Sequence, residues 1–277
     1  MNRALVFLVG PLLLAAACAA SPAPAPASAG TGAPPAATAP GAAPAAAPGT
    51  ATTSAPPGLR PPEAILADSV AATGGAAAWL RHKTAHFKIE TTFQGMGMGG
   101  SGERFQTNTG KSLSIQQFTG MGTAREGTNG KVAWSEDAVL GFRVLDGAEA
   151  EEARIDAAWN TELQAKELFV KLESATDTGP DGTKLECVVA TPRLAAPVKS
   201  CYDPKTHLEV LQSGIKTTPQ GNVPFRGISR DWREVGGVKM PFVSETQVGP
   251  ITLVVTFKDV TFDEPMDDKM FDPPRSP

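Results

Sequence analysis

From Phe87 onward, apolar side chains return at every second position in one segment after another. No other feature of the chain restricts its fold as much. Phe87, Ile89, Thr91 and Phe93 alternate with His86, Lys88, Glu90 and Thr92. Val238, Met240, Phe242 and Ser244 alternate with Lys239, Pro241, Val243 and Glu245, and Ile251, Leu253, Val255 and Phe257 with Thr252, Val254, Thr256 and Lys258. Successive residues of a strand point to opposite faces, so this period describes antiparallel strands with one apolar face and one wet face. Further strands are predicted near 101–108, 111–119, 122–128, 131–136, 140–145, 171–178, 183–190, 198–203, 207–213 and 225–234. Asn129-Gly130, Asp181-Gly182, Gly236-Gly237 and Gly249-Pro250 supply turn chemistry between them. The spacing reads as consecutive hairpins.

Helices interrupt this pattern in two places. Pro62 and Glu63 suit a first turn, Ile65, Leu66, Ser69, Val70 and Thr73 share a face, and Gly74-Gly75 stops the helix. A short turn over 76–81 brings Trp79 and Leu80 to the interior. Between Gly147 and about Val170, Ile155, Trp159, Leu163 and Val170 recur near a helical period, which predicts two short helices over 149–159 and 162–170. Pro265–Phe271 makes a last turn. The expected fold class is therefore α+β: a large curved antiparallel sheet of about 11–13 strands with helices covering its concave face. Such a layout predicts a cavity, with wall candidates Phe87, Ile89, Phe93, Leu113, Ile115, Trp134, Phe142, Ile155, Trp159, Met240, Phe242, Leu253, Val255 and Phe257. The alternative for each of these residues is plain core.

Composition divides the 277 residues into unequal parts. From Ala19 to Pro62, 17 Ala and 12 Pro make up 29 of 44 residues, too few large apolar groups to bury a core. Residues 63–277 carry 23 basic and 29 acidic side chains, a balance that excludes a general nucleic-acid surface. Residues 1–17 combine Arg3 with the apolar run Ala4 to Ala17, as a secretory signal does. Ala15-Ala16-Ala17 followed at once by Cys18 resembles the bacterial lipoprotein signal. That resemblance implies cleavage before Cys18 and attachment of acyl (palmitate-type) chains there; ordinary A-x-A cleavage is the alternative. Residues 18–62 would then be a lipidated cysteine and a disordered tether, reaching about 100 Å if extended at ~3.1 Å per residue. Ala19 follows the cysteine where no aspartate stands, which by resemblance to Gram-negative sorting signals implies the outer membrane, facing the periplasm.

Cys187 and Cys201 fall in two predicted strands flanking the loop Thr191–Pro197. In an antiparallel hairpin centred on Leu194 they are direct cross-strand neighbours, and an exported location favours a disulfide between them. Two separate buried thiols are the alternative.

A search for reactive chemistry finds none. His82, His86 and His207 are scattered without zinc spacing, and no nucleophile elbow, P-loop or dinucleotide fingerprint occurs. The acidic runs Asp146, Glu149, Glu151, Glu152 and Asp263, Glu264, Asp267, Asp268 read as solvated charge, not calcium ligands. Met96, Met98 and Met121 raise a soft-metal reading, which no nearby His or Cys supports. No enzyme activity, cofactor or metal is expected.

The order of several loose motifs is similar to the outer-membrane lipoprotein-sorting superfamily, the LolA/LolB-like domains. They are Glu63–Gly75 (EAILADSVAATGG), Gly127–Trp134 (GTNGKVAW), the stretch around Trp159–Leu168, Asp203–Leu211 (DPKTHLEVL), Asp231–Pro241 (DWREVGGVKMP) and Phe262–Pro273 (FDEPMDDKMFDP). The resemblance covers nearly all of 63–277. It implies an unclosed half-barrel whose opening is plugged by helices, and a lipid-anchored carrier or receptor holding acyl chains of lipoproteins or other lipids. A lipidated chain departs from the soluble shuttle of that superfamily. The alternatives are a structural or interaction lipoprotein supporting an envelope protein complex, or a regulatory domain associated with envelope peptidases.

Overall fold

The computed structural model describes residues 52–274. Cys18, the signal and most of the Ala/Pro-rich segment lie outside the described residues. In chain order the elements are β1 (Thr52–Ser54), α1 (Pro62–Ala72), α2 (Gly75–Arg81), β2 (Thr84–Phe93), β3 (Met98–Thr107), β4 (Ser112–Phe118), β5 (Gly122–Thr128), β6 (Ala133–Asp137) and β7 (Gly141–Val144). Then follow α3 (Gly147–Asp156), α4 (Ala165–Leu168), β8 (Lys171–Thr178), β9 (Lys184–Thr191), β10 (Val198–Tyr202), β11 (Glu209–Thr218), β12 (Gly221–Val235), β13 (Val238–Val248), β14 (Ile251–Phe262) and a 3-10 turn over Asp268–Phe271.

All strands belong to one 14-stranded sheet in the order β1-β8-β9-β10-β11-β12-β13-β14-β2-β3-β4-β5-β6-β7. Every neighbouring pair is antiparallel except β1 with β8, where Thr52, Thr53 and Ser54 run parallel to Lys171, Leu172 and Glu173. The folded part thus begins upstream of Glu63, inside the segment expected to be tether throughout. Its entry to α1 is fixed by Arg60, which bonds Asp68 and, at 2.8 Å, Glu186. Turn residues explain the hairpins. Gly236 and Gly237 take φ of 59° and 77°, a left-handed conformation that disfavours a side chain, and turn β12 back into β13.

Among the described residues, the four α-helices lie on one face. Ile65 and Leu66 of α1, Ile155 of α3, and Ala165 and Leu168 of α4 pack on Leu172, Val188, Ala190 and Tyr202. Trp79 of α2 and Trp159 join Phe87, Ile89, Phe93, Met240, Phe242, Leu253, Val255 and Phe257. α3 also shows how strongly the sheet curls. It touches both β11 and β5, between which six strands intervene. Seven strand spacings span roughly 34 Å if flat, whereas a ten-residue helix is about 15 Å long. The sheet must wrap around the helix for both contacts to exist. It remains unclosed, with β1 and β7 at its edges.

The opposite face carries its own smaller core. Leu113 and Trp134 are buried there against Phe271 of the 3-10 turn, with Phe105, Ile115, Met266 and Met270 around them. Trp134 Nε1 donates to the Phe271 carbonyl at 3.1 Å. Gly127 makes room for the indole, since a Cβ at that position would stand 2.8 Å from the ring. Further along this face the Cys187–Cys201 disulfide joins direct register partners of β9 and β10, beside Leu185 and Leu211.

Candidate functional site

One row across the sheet shows what the inner, helix-covered face presents. Phe87 pairs with Arg104, Arg104 with Ser114, Ser114 with Glu126, and Glu126 with Ser135. Direct partners share a face. The row therefore begins in hydrocarbon on β2 and continues through four polar side chains on β3 to β6. The parallel row Ala85, Gln106, Ser112, Thr128 repeats the change.

The polar part of the floor holds α3. Arg104, buried to 3% exposure, forms an ion pair of 2.9 Å with Asp156 and donates to the Asp156 carbonyl at 3.1 Å. Gln106 donates to the carbonyls of Ala157 and Ala158 at 3.2 and 2.9 Å. The last carbonyls of a helix have no partner within it and carry its negative dipole end, so a cation and an amide rising from the sheet satisfy both needs. From the other side of the sheet, Lys216 of β11 pairs with Glu152 of α3 at 2.9 Å, and Glu152 accepts from the Thr217 amide at 3.1 Å. The helix is thus fastened at two points by buried charge.

Beside the first of these fastenings lies a chamber bounded by Arg104, Ser112, Ser114, Glu126, Thr128, Ala153 and Asp156, of about 260 Å³ counted out to its mouth. Arg104 Nε, Ser114 Oγ and Asp156 Oδ1 are buried there without a protein partner. Glu126 is half-buried by surface, yet its carboxyl is enclosed. Burial pushes it up to about 7; Lys216 and Arg104 pull it down, and Asp156 and Glu152 push it further up.

The apolar opening is elsewhere. A groove of about 390 Å³, counted out to its mouth, runs between α3 and the β9–β10 loop above β11 and β12. Ile155, Pro192, Ala195, Ala196, Val198, Ile215 and Phe225 line it, with Glu152, Gln212 and Lys216. Leu194, in the same loop, is 65% exposed and Ile215 44%. A third cleft, about 280 Å³ to its mouth, lies between α1, α4 and β8 to β10, lined by Leu66, Phe169, Leu172 and Tyr202 among others.

The wall candidates divide by face. Phe87, Ile89, Phe93, Trp159, Met240, Phe242, Leu253, Val255 and Phe257 lie under the helices and pack into one filled cluster, and Ile155 faces the same interior from α3. Leu113, Ile115, Trp134 and Phe142 lie on the opposite face; Trp134 and Phe142 have ring centroids 6.4 Å apart, and Phe142 is 38% exposed. These four cannot line an inner cavity. Where the alternation predicts a wide hollow, Trp79 of α2 and Trp159 of the segment after α3 pack into the cluster, joined by the Trp159 Nε1 bond to the Trp79 carbonyl at 2.9 Å. Ile155 is the one candidate that lines the groove.

Arg104, Gln106, Glu126, Glu152, Asp156 and Lys216 were not singled out as a set from the sequence. The available signal was the alternation of Ser112, Ser114 and Gln116 with Leu113 and Ile115, which marks two faces without saying which is covered. Of the methionines considered for a soft metal, Met98 begins β3 and packs on the main cluster with Met121, and Met96 at the turn is partly exposed. Among the described residues no group of three or more His, Cys, Asp or Glu is arranged to hold a metal.

No protein-family model matches the sequence, and no curated protein matches it. Among solved structures, the chain is similar to a DUF1329 family protein from Desulfovibrio piger, with a TM-score of 0.52 at 9% identity, over 76% of this chain and 97% of that one. It is also similar to a domain named for outer membrane lipoprotein sorting from Vibrio parahaemolyticus (TM-score 0.49, 9% identity, 76% of this chain and 95% of that one). A LolA superfamily protein from Nitrosomonas europaea gives a TM-score of 0.47 at 11% identity, over 76% of this chain and 97% of that one. At such identities the likeness is one of fold. The unclosed sheet with helices on one face, implied by the resemblance of the sequence to the lipoprotein-sorting superfamily, is the fold observed.

Proposed function

We propose that the protein is an exported lipoprotein, anchored through acylated Cys18 to the outer membrane and facing the periplasm. Residues 1–17 are its signal, the Ala/Pro-rich segment up to β1 is its tether, and the rest is the working domain. It binds acyl chains of lipoproteins or other lipids without catalysis, as carrier or receptor. The observation that carries this reading is the apolar groove beside α3, lined by Ile155, Pro192, Ala195, Ala196, Val198, Ile215 and Phe225 and open to solvent. Each methylene moved from water into it contributes about 0.8 kcal/mol. The groove shares Glu152, Ile155 and Lys216 with the fastening of α3, so a longer chain is admitted by lifting that helix, not by entering the filled cluster.

The full chain, purified from membranes, is examined by native mass spectrometry and lipid extraction, and by uptake of a fluorescent fatty acid. Copurifying lipid, together with uptake that weakens at least tenfold in Ile215→Asp, is the expected result. Absence of both lipid and probe binding would sink the reading. Radioactive fatty-acid labelling that persists in a Cys18→Ala variant would remove the anchor.

A second reading, an interaction lipoprotein supporting an envelope protein complex, is favoured by one observation. Edge strand β7 and the turn before it expose Val139, Phe142 and Val144 at 56, 38 and 57%. An unpaired edge with apolar side chains is a site for adding a partner strand.

A further inference from the structure

The buried chamber beneath α3 is built from an uneven set of charges. Arg104 on β3 enters it from the sheet and Asp156 from the helix, and a second ion pair, Lys216 on β11 with Glu152 of α3, stands nearby in the adjoining groove. These four balance. Glu126 on β5 is a fifth charged group, and it lines the chamber with Arg104 and Asp156. Asp137 on the neighbouring strand β6 is a further acid on this part of the face; one of its oxygens accepts the amides of Val139 and Leu140 at 2.7 and 2.8 Å. The other groups facing Glu126 are neutral: Ser114 on β4, Ser135 on β6 and Thr128 on its own strand.

The consequences of ionising Glu126 follow from this arrangement. A neutral carboxyl leaves Arg104 and Lys216 to the two carboxylates of α3. An ionised one adds a negative charge close to Asp156 and Glu152 and competes with them for both cations. In a partly enclosed chamber both effects are screened less than they would be at the surface. Lifting α3 admits water and relieves both. The closed helix and the neutral carboxyl therefore favour each other, and by linkage the proton must also favour closure.

We propose that Glu126 is a proton-operated latch: protonated, it lets Arg104 and Lys216 hold α3 down over the sheet, and ionised, it loosens the helix and widens the adjoining groove. The proposal rests on the groove reading above only for what the movement serves; the movement itself stands on the charge cluster. The direction of its carboxyl, raised from 4.5 to about 7, agrees with the geometry. That shift bounds the change in the open-to-closed ratio at on the order of a hundredfold between acid and mildly alkaline solution. An exported domain meets the pH of its surroundings without cytoplasmic buffering, so such a latch would operate in place.

Hydrogen–deuterium exchange of the full chain tests it. The protection of α3 amides is divided by that of α1 amides in the same molecule, because α1 lies over β8 and β9 away from the chamber and cancels the intrinsic effect of pH. The expected result is a ratio that falls at least tenfold between pH 5 and pH 8 in the native chain and stays level in Glu126→Gln. A level ratio in the native chain overturns the proposal. So does an equal fall in Glu126→Gln. If Glu126→Gln does not fold, Glu126→Asp replaces it, and the carboxylic-acid stretching band of the native chain, followed by infrared spectroscopy, must lose intensity around pH 7; a band lost entirely below pH 5.5 also overturns it. Uptake of the fluorescent fatty acid is recorded in parallel. A helix that responds to pH without admitting the probe refutes the cargo reading alone, and a probe that binds equally at both pH values above an unresponsive helix refutes the latch alone.

Discussion

The two halves of the sheet use the same alternation to opposite ends. Across β12, β13, β14 and β2 the inner face is mostly hydrocarbon, where Phe87, Ile89, Phe93, Met240, Leu253 and Val255 meet Trp79 and Trp159. Across β3 to β6 the inner face is Arg104, Gln106, Ser112, Ser114, Gln116 and Glu126, while Leu113 and Trp134 turn outward beneath Phe271. What covers each half explains the difference. Helix side chains cover the first, and burying apolar groups against them is favourable. The end of α3 covers part of the second, presenting bare carbonyls and two carboxylates that hydrocarbon could not satisfy. The apolar half holds the fold together, and the polar half holds a helix in place.

The largest test of that contrast is Arg104→Ala. Leaving Asp156 buried without its cation should cost about 3–5 kcal/mol in urea unfolding, and Arg104→Met combined with Asp156→Leu should recover most of it. A loss below about 1 kcal/mol would mean that the polar half behaves as ordinary surface. In the same row, Phe87→Ala should cost about 3–5 kcal/mol, because Phe87 is 1% exposed and its removal leaves a cavity. Ser114→Ala, two strands away on the same face, should change stability by less than about 1 kcal/mol, since its hydroxyl has no protein partner to lose. Equal losses at Phe87 and Ser114 would erase the distinction between the halves.

The disulfide belongs to neither inner half. Replacing Cys187 and Cys201 together by Ala opens a loop with a sequence separation of 14 and should cost about 3 kcal/mol, read from the shift of the denaturation midpoint. Glu126 sharpens the comparison through pH. A carboxyl raised in the folded protein costs nothing below its ordinary value of 4.5, and its destabilising effect grows as pH rises until it levels off above about 7. The native chain should therefore lose stability relative to Glu126→Gln as pH climbs from 4.5 to 7, measured by urea midpoints, with no difference between the two at pH 4. The smallest effect is expected at the exposed pair Lys258–Glu90, 2.7 Å apart on the wet side of β14 and β2, where Lys258→Ala should cost less than about 1 kcal/mol.

Much of the scaffold can be read without coordinates. The period of two locates the strands from Phe87 to Phe257, because pleating alone determines it. Pro62 and Gly74-Gly75 bracket the helix that forms, and the equal distances of Cys187 and Cys201 from Leu194 place them as the direct partners they are. Each of these depends on local geometry or on a short hairpin. Other features depend on neighbours distant in the chain. Nothing in the end of an Ala/Pro-rich segment announces a strand parallel to β8; Thr52–Ser54 becomes one because an open sheet edge lies beside it.

The same limit governs the site. The sequence by itself determined that β4 has a Leu113-Ile115 face and a Ser112-Ser114-Gln116 face. Only the tertiary structure decided that the second turns toward the helices, because both faces are covered and the choice depends on what covers them. Arg104 and Asp156 stand 52 residues apart, and Lys216 and Glu152 come from strand and helix joined by no local pattern. Alternation states that a strand has two sides; the side that becomes the interior is set by long-range packing and by the hydrogen-bonding needs of the helix laid upon it.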